Sequence, residues 1–194
     1  MKQKEYSQSP LYFHEPYKSY ALTIIAGLYQ IPRTGWVDRG VKNPETVGEH
    51  IDDLVIWAKL FPEIIGLDKM LKVHDWVEWD PKVGDLRTDP NCPADHRVTK
   101  EEKKARELEA MKKICRNLGP YGKFTFSIWW EYEEGKTERA QISFQLNKLH
   151  PILKAIFYHK NGEPSCPQEF IDYNGPFIVN PKLKGILDNA ISKM

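Results

Sequence analysis

Residues 73–85 read VHDWVEWDPKVGD, and the reading of this stretch decides the fold and the chemistry. His74 and Asp75 set a neutral imidazole nitrogen beside a carboxylate oxygen, a pair that can share one divalent cation. Glu78 follows one helical turn on, beside His74. A His-Asp pair alone is equally at home on a helix surface, so further ligands must come from elsewhere in the chain.

Working outward, the spacing predicts a helix over residues 67–78 that carries Met70, Leu71, Val73 and Val77 inward together with His74. Upstream, Asn43 as N-cap, Pro44 at the first helical position and Glu45 against the helix dipole predict a helix over residues 44–61. Its core stripe is Val47, Ile51, Leu54, Val55 and Ala58, and His50 lies at the edge of that stripe. A short turn between the two helices makes them antiparallel neighbours, which lets His50 and His74 meet.

Further out, Ala21, Leu22, Ile24, Ile25, Leu28 and Ile31 predict a mostly buried helix over residues 17–31, stopped by Pro32. The next segment, PRTGWVDRGVKNP, reads as a loop. Its basic side chains around Trp36 could receive a phosphate and a ring. On the other side, residues 79–98 form a polar, proline-bearing loop too long to be a mere connector, and so a pocket rim or lid. Asp85, after Gly84, is its most site-like carboxylate. Thr99 and Glu102 have the spacing of a capping box that opens a charged helix closed by Gly119. Helices follow over residues 121–134 and 136–160, the second marked by Ile142, Leu146, Leu149, Leu153 and Phe157. The tail after Asn161 reads as loop-rich until Asn180 and Pro181 open a last short helix to about Ile191.

The bulk properties set limits. A chain of 194 residues suits one domain, and 28 basic against 27 acidic side chains leave a formal net charge of +1. No global field therefore argues for a nucleic-acid polymer or an anionic membrane as partner. Cys92, Cys115 and Cys166 are too scattered for a disulfide framework or a paired-cysteine zinc site. No apolar run approaches the roughly 20 residues needed to span a bilayer, so a soluble, cytoplasmic protein is expected. A Gly-rich phosphate loop, a nucleophile elbow, an internal repeat and a convincing alternating strand are all missing. The reading is one all-α domain of six to eight helices spanning residues 1–194, with a core over about 17–160 and a C-terminal extension over 161–194 packed on it.

Taken together, IPRTGWVDRG, NPETVGEHI, KVHDWVEWDPKVGD, TKEEKKARELEAMKKI and QLNKLHPILKA, in that order, resemble the HD-domain phosphohydrolases, in the branch of the 5'-deoxynucleotidases. The resemblance runs from about residue 22 to the last helix. It implies an HD-domain helical bundle holding one divalent metal, with Mn, Co, Mg, Fe, Ni and Zn all open. Carried over by position, the ligands are His50, His74 and Asp75, with a fourth from the late helix. Glu78 matches the residue that orients or deprotonates the attacking water, and Asp85 a second carboxylate near the leaving group. Arg33 and Trp36 match the loop that grips the substrate 5'-phosphate and packs near the sugar, where Arg39 and Lys82 are further cations. Glu49 is placed to support the first ligand. The implied activity is removal of the 5'-phosphate from a deoxynucleoside monophosphate. A homodimer is compatible with the resemblance, since related proteins are commonly dimers.

Two departures from the family pattern matter. The segment from Trp79 to Val83 is longer than in relatives, so Asp80 and Pro81 read as an insertion that shifts Asp85. On the late helix the family's metal-binding Asp falls on Asn147, a neutral carbonyl donor that takes one negative charge from the site. Weakened turnover follows from this, or a different metal or none, or a protein that binds a nucleotide or partner without turnover. Triphosphohydrolase and phosphodiesterase activities of the same superfamily are the remaining alternatives. His150, three residues on, is near enough to reach the site, although helical geometry more often directs such a residue elsewhere.

Overall fold

The computed structural model describes residues 16–84, 86–88 and 97–194. In chain order its helices are α1 (Pro16–Leu28), α2 (Thr34–Val37), α3 (Val47–Trp57), α4 (Leu67–Val73), α5 (Lys100–Asn117), α6 (Gly122–Glu134), α7 (Glu138–Lys160), α8 (Pro167–Asn174) and α9 (Pro181–Ile191). Among the described residues there is no strand, only the isolated bridges Pro32 to Thr46 and Arg87 to Arg97. The all-α reading holds, with α2 and α8 as short helices in segments expected to be loop.

Helix α7 runs between two apolar clusters. Ile24, Leu28, Ile51, Met70, Met111, Ile114 and Trp129 bring α1, α3, α4, α5 and α6 together on one side. Leu54, Leu67, Leu71, Leu146, Leu149, Leu183 and Leu187 join α3, α4, α7 and α9 on the other. Because α3 and α4 serve both clusters, their facing turns are fixed from two sides, and His50 and His74 lie on those turns. A third cluster of Trp36, Val41, Ala155 and Tyr158, with Phe170 against it, anchors the basic loop onto α7 and α8.

Several boundaries differ from the sequence reading for identifiable reasons. Helix α3 begins at Val47 with Thr46 as its N-cap, not at Pro44. The Thr46 hydroxyl accepts from the Glu49 N–H while the Glu49 carboxylate accepts from the Thr46 N–H, a complete capping box. Arg33 N–H donates to the Glu45 carbonyl and Val47 N–H to the Ile31 carbonyl, which holds residues 43–46 extended. Helix α4 ends at Val73, and Trp76–Trp79 continues as a 3-10 turn. That turn sits on α1 where Gly27 leaves room for Trp79; a Cβ at Gly27 would come within 2.5 Å of the indole.

Asp80 is buried and accepts from Lys113 Nζ at 2.8 Å and the Lys82 N–H at 3.0 Å, so the segment that follows the 3-10 turn is a capped turn. Asp85 lies outside the described residues.

Candidate active site

His74 is the C-cap of α4, and its ring is fully enclosed. Nδ1–H donates to the Leu71 carbonyl at 2.7 Å, which leaves the lone pair on Nε2. That Nε2 is buried and meets no hydrogen-bond partner among the described residues, yet Asp75 Oδ2 lies 3.0 Å away. His50, on the first turns of α3, presents Nε2 at 3.5 Å from the same oxygen and 3.0 Å from Asn147 Oδ1. Asn147 Nδ2 donates to the Tyr132 hydroxyl at 2.9 Å, and this fixes the amide with its oxygen toward His50.

Four electron-pair donors thus converge: His50 Nε2, His74 Nε2, Asp75 Oδ2 and Asn147 Oδ1. The buried, unsatisfied His74 nitrogen facing a carboxylate oxygen is the arrangement a cation would satisfy. Two imidazoles, one carboxylate and one amide oxygen fit a divalent ion of intermediate hardness.

The electrostatics suit that task. Burial, with Arg33 and His150 close by, holds His50 well below the ordinary imidazole value, so its ring is neutral at pH 7. Burial alone would raise the Asp75 carboxyl, but His74, His50 and Arg33 outweigh it and hold it below the usual carboxylate range. Burial pushes the Tyr132 hydroxyl up, which keeps it protonated.

Asp75 and Asn147 line a cleft of about 680 Å³, with the buried His50 and His74 rings beside them. Glu78, 7% exposed on the 3-10 turn, lines it beside Asp75. Arg33, Arg39, Arg87, Lys103 and Lys148 line it too, together with Asp38 and Glu169, which pair with Arg87 and Arg39. Arg39 is tied to Glu169 Oε2 at 2.9 Å and lies over the Phe170 ring. Trp36 reaches the cleft but is 3% exposed, stacked on Phe170 at 4.7 Å between centroids and edge-on to Tyr158. Lys82 is exposed and does not line the cleft.

The sequence reading missed a layer behind the ligands. Glu45, expected to complement a helix dipole, is instead fully buried. Its Oε1 lies 3.5 Å from Arg33 NH1, 3.4 Å from His50 Nδ1 and 3.6 Å from His150 Nδ1, and its Oε2 lies 3.4 Å from Lys154 Nζ. The Thr46–Glu49 capping spacing was the available signal, since it moves the helix start past Glu45. Glu49 itself is exposed and serves the cap, so the support role it was given belongs to Glu45. His150 is 1% exposed and packs against His50 with ring centroids 4.6 Å apart. It stands behind the ligand set rather than in it. Pro151, inside α7, has no N–H to return to the Asn147 carbonyl, so the helix is loosened where it meets the cleft.

An HD-domain family model matches residues 25–172. The mouse 5'-deoxynucleotidase HDDC2 is 33% identical over 168 residues, covering 84% of this chain and 80% of that protein. The Schizosaccharomyces pombe 5'-deoxynucleotidase hdd1 is 30% identical over 183 residues, covering 89% and 87%. In fold, the crystal structure of a predicted metal-dependent phosphohydrolase from Magnetospirillum magnetotacticum MS-1 superposes with a TM-score of 0.66 at 23% identity, over 93% of this chain and 94% of that one. With the match running through the His50, His74–Asp75 and Asn147 segments, the chain belongs to the HD-domain family.

Proposed function

We propose that this protein is a metal-dependent phosphohydrolase that removes the 5'-phosphate of deoxynucleoside monophosphates. The observation that carries the proposal is the convergence of four ligand atoms beside a cleft that Arg33, Lys103 and Lys148 line. The 5'-deoxynucleotidase names of its relatives support the substrate class.

His50, His74, Asp75 and Asn147 would hold the ion. When bound, a divalent metal supplies Lewis acidity toward a phosphoryl oxygen and acidifies bound water. Around it, Arg33 neutralises the phosphate through charge-assisted hydrogen bonds. Glu78 takes the proton of the attacking water, and its place beside Asp75 on the cleft wall supports that role. Arg39 and Trp36 shape the end of the cleft that receives the sugar. Asp85 enters as the carboxylate near the leaving group, on the strength of the family pattern alone.

No helix among the described residues is long and apolar enough to cross a membrane. Cys115 and Cys166 are unpaired, in keeping with a cytoplasmic setting.

The test is phosphate release from nucleoside mono-, di- and triphosphates by metal-stripped protein supplied with Mn²⁺, Co²⁺ or Mg²⁺. Release from deoxynucleoside monophosphates, lost in Asp75→Ala, is expected. No release from any substrate with any metal would remove the hydrolase reading and leave the second one. That second reading, favoured by the neutral Asn147, is a protein that binds the nucleotide without turning it over.

A further inference from the structure

His50 has two ring nitrogens, and only one can face the ligand set. Its Nδ1 lies 3.1 Å from His150 Nδ1, and His150 Nε2 lies 3.1 Å from Asp53 Oδ2. Both rings are buried, while the Asp53 carboxylate is open to solvent on its far side.

The direction of the two hydrogen bonds follows from what each group can do. An ionised carboxylate only accepts, so His150 Nε2 carries a hydrogen. A metal held by His50 Nε2 leaves His50 Nδ1 to carry the ring hydrogen, and His150 Nδ1, 3.1 Å away, is then the acceptor. The donor facing it is His50 Nδ1–H, and His50 Nε2 is left with its lone pair toward Asn147 Oδ1, itself an acceptor. We infer that Asp53 and His150 form a relay that fixes His50 in the tautomer offering Nε2 to the metal, and that they are positioning residues for the HD centre. Glu45 Oε1, within 3.4 Å of His50 Nδ1 and 3.6 Å of His150 Nδ1, favours a hydrogen at the junction of the two rings. A carboxylate acting through hydrogen bonds also raises the basicity of the ligating ring. That gain offsets part of the charge missing at Asn147.

The inference rests on the reading of His50 as a metal ligand, and its test keeps the two apart. First, long-range ¹H–¹⁵N correlation spectra of the metal-free protein at neutral pH report which nitrogen of His50 carries the hydrogen, whether or not metal binds. The hydrogen is expected on Nδ1 in the wild type and on Nε2 in His150→Phe, which removes the acceptor. Second, Co²⁺ affinity is measured by competition with a chromophoric chelator. His150→Phe should weaken it about 10- to 100-fold. His150→Asn, whose Oδ1 replaces the Nδ1 acceptor, should recover most of that loss.

Asp53→Asn, at a half-exposed carboxylate, keeps the question open to measurement if the buried Phe variant does not fold; a mixed His50 tautomer and a weaker Co²⁺ complex are expected. A hydrogen on Nε2 of wild-type His50 would overturn the relay. So would Co²⁺ affinity unchanged in His150→Phe, or no recovery in His150→Asn. Absence of Co²⁺ binding in the wild type, with the Nδ1 hydrogen observed, would instead count against the metal reading.

Discussion

His50 Nε2 stands 3.0 Å from Asn147 Oδ1, and the Asn147 amide is held in that orientation by the Tyr132 hydroxyl. The late helix therefore delivers a donor atom where the family places a carboxylate, but without its charge. Asn147→Asp adds that charge to the ligand set and should tighten divalent-metal binding about tenfold or more. Isothermal titration with Mn²⁺ checks this, and the same variant should hydrolyse faster at limiting metal.

Arg33 lies between the cleft and the buried Glu45. Loss of charge-assisted hydrogen bonds of about 1.5–3 kcal/mol should lower kcat/KM in Arg33→Ala about 10- to 100-fold. Steady-state kinetics on a deoxynucleoside monophosphate, beside the same sugar without phosphate as competitor, would assign the loss to phosphate binding.

Glu78→Gln keeps the shape of the cleft wall while removing a base. A fall in kcat of about 10²- to 10⁴-fold with metal content unchanged is expected. Metal analysis of the purified variant separates this outcome from loss of the ligand set.

Glu45 holds Arg33, His50, His150 and Lys154 around one buried carboxylate. Truncation to Ala removes the buried carboxylate that Arg33 and Lys154 share, so Glu45→Ala should cost about 3–5 kcal/mol of stability. For a chain of this size the melting temperature should drop by about 10 °C. Glu45→Gln, which keeps the volume, should lose less.

Burial and the neighbouring Glu107 push the Glu133 carboxyl up to about 7. That is above its ordinary value of 4.5, so between the two the folded state binds a proton that the unfolded chain releases. This contribution is fully present below about 4.5 and is lost as pH rises through 7. Glu133→Gln should therefore match the wild type in stability near pH 4.5 and exceed it at pH 8. Urea unfolding of both proteins at the two pH values isolates the effect from groups that titrate elsewhere.

The long, strongly patterned helices were legible from sequence because their signals are local. Thr99 caps α5 and Asn180 caps α9 as expected, and Gly119 ends the charged helix with φ 55°. The histidine pairing was legible because a helix, a turn and a helix leave few ways to pack. What escaped was set by tertiary contacts. Glu45 lay beyond reach while Asn43–Pro44 looked like a helix start, and the bridge between Pro32 and Thr46, with the Tyr158 hydroxyl bonded to Glu45 N–H and the Asn43 carbonyl, holds that segment extended. His150 follows Asn147 by three residues, yet α7 turns it behind His50, and no one-dimensional pattern states which side of a ligand a neighbour will occupy. Trp36 was read as packing near a sugar, and the structure buries most of it against Tyr158 and Phe170.

Two ligand triads exist among the described residues: His50, His74 and Asp75 at the cleft, and Glu45, His50 and His150 behind it. Anomalous diffraction from crystals loaded with one equivalent of Co²⁺ distinguishes them. A single peak is expected at about 2.0–2.3 Å from His50 Nε2, His74 Nε2 and Asp75, on the Asn147 side. A peak between Glu45 and His150, or none beside the cleft of a protein that hydrolyses nucleotides, would contradict this ligand set.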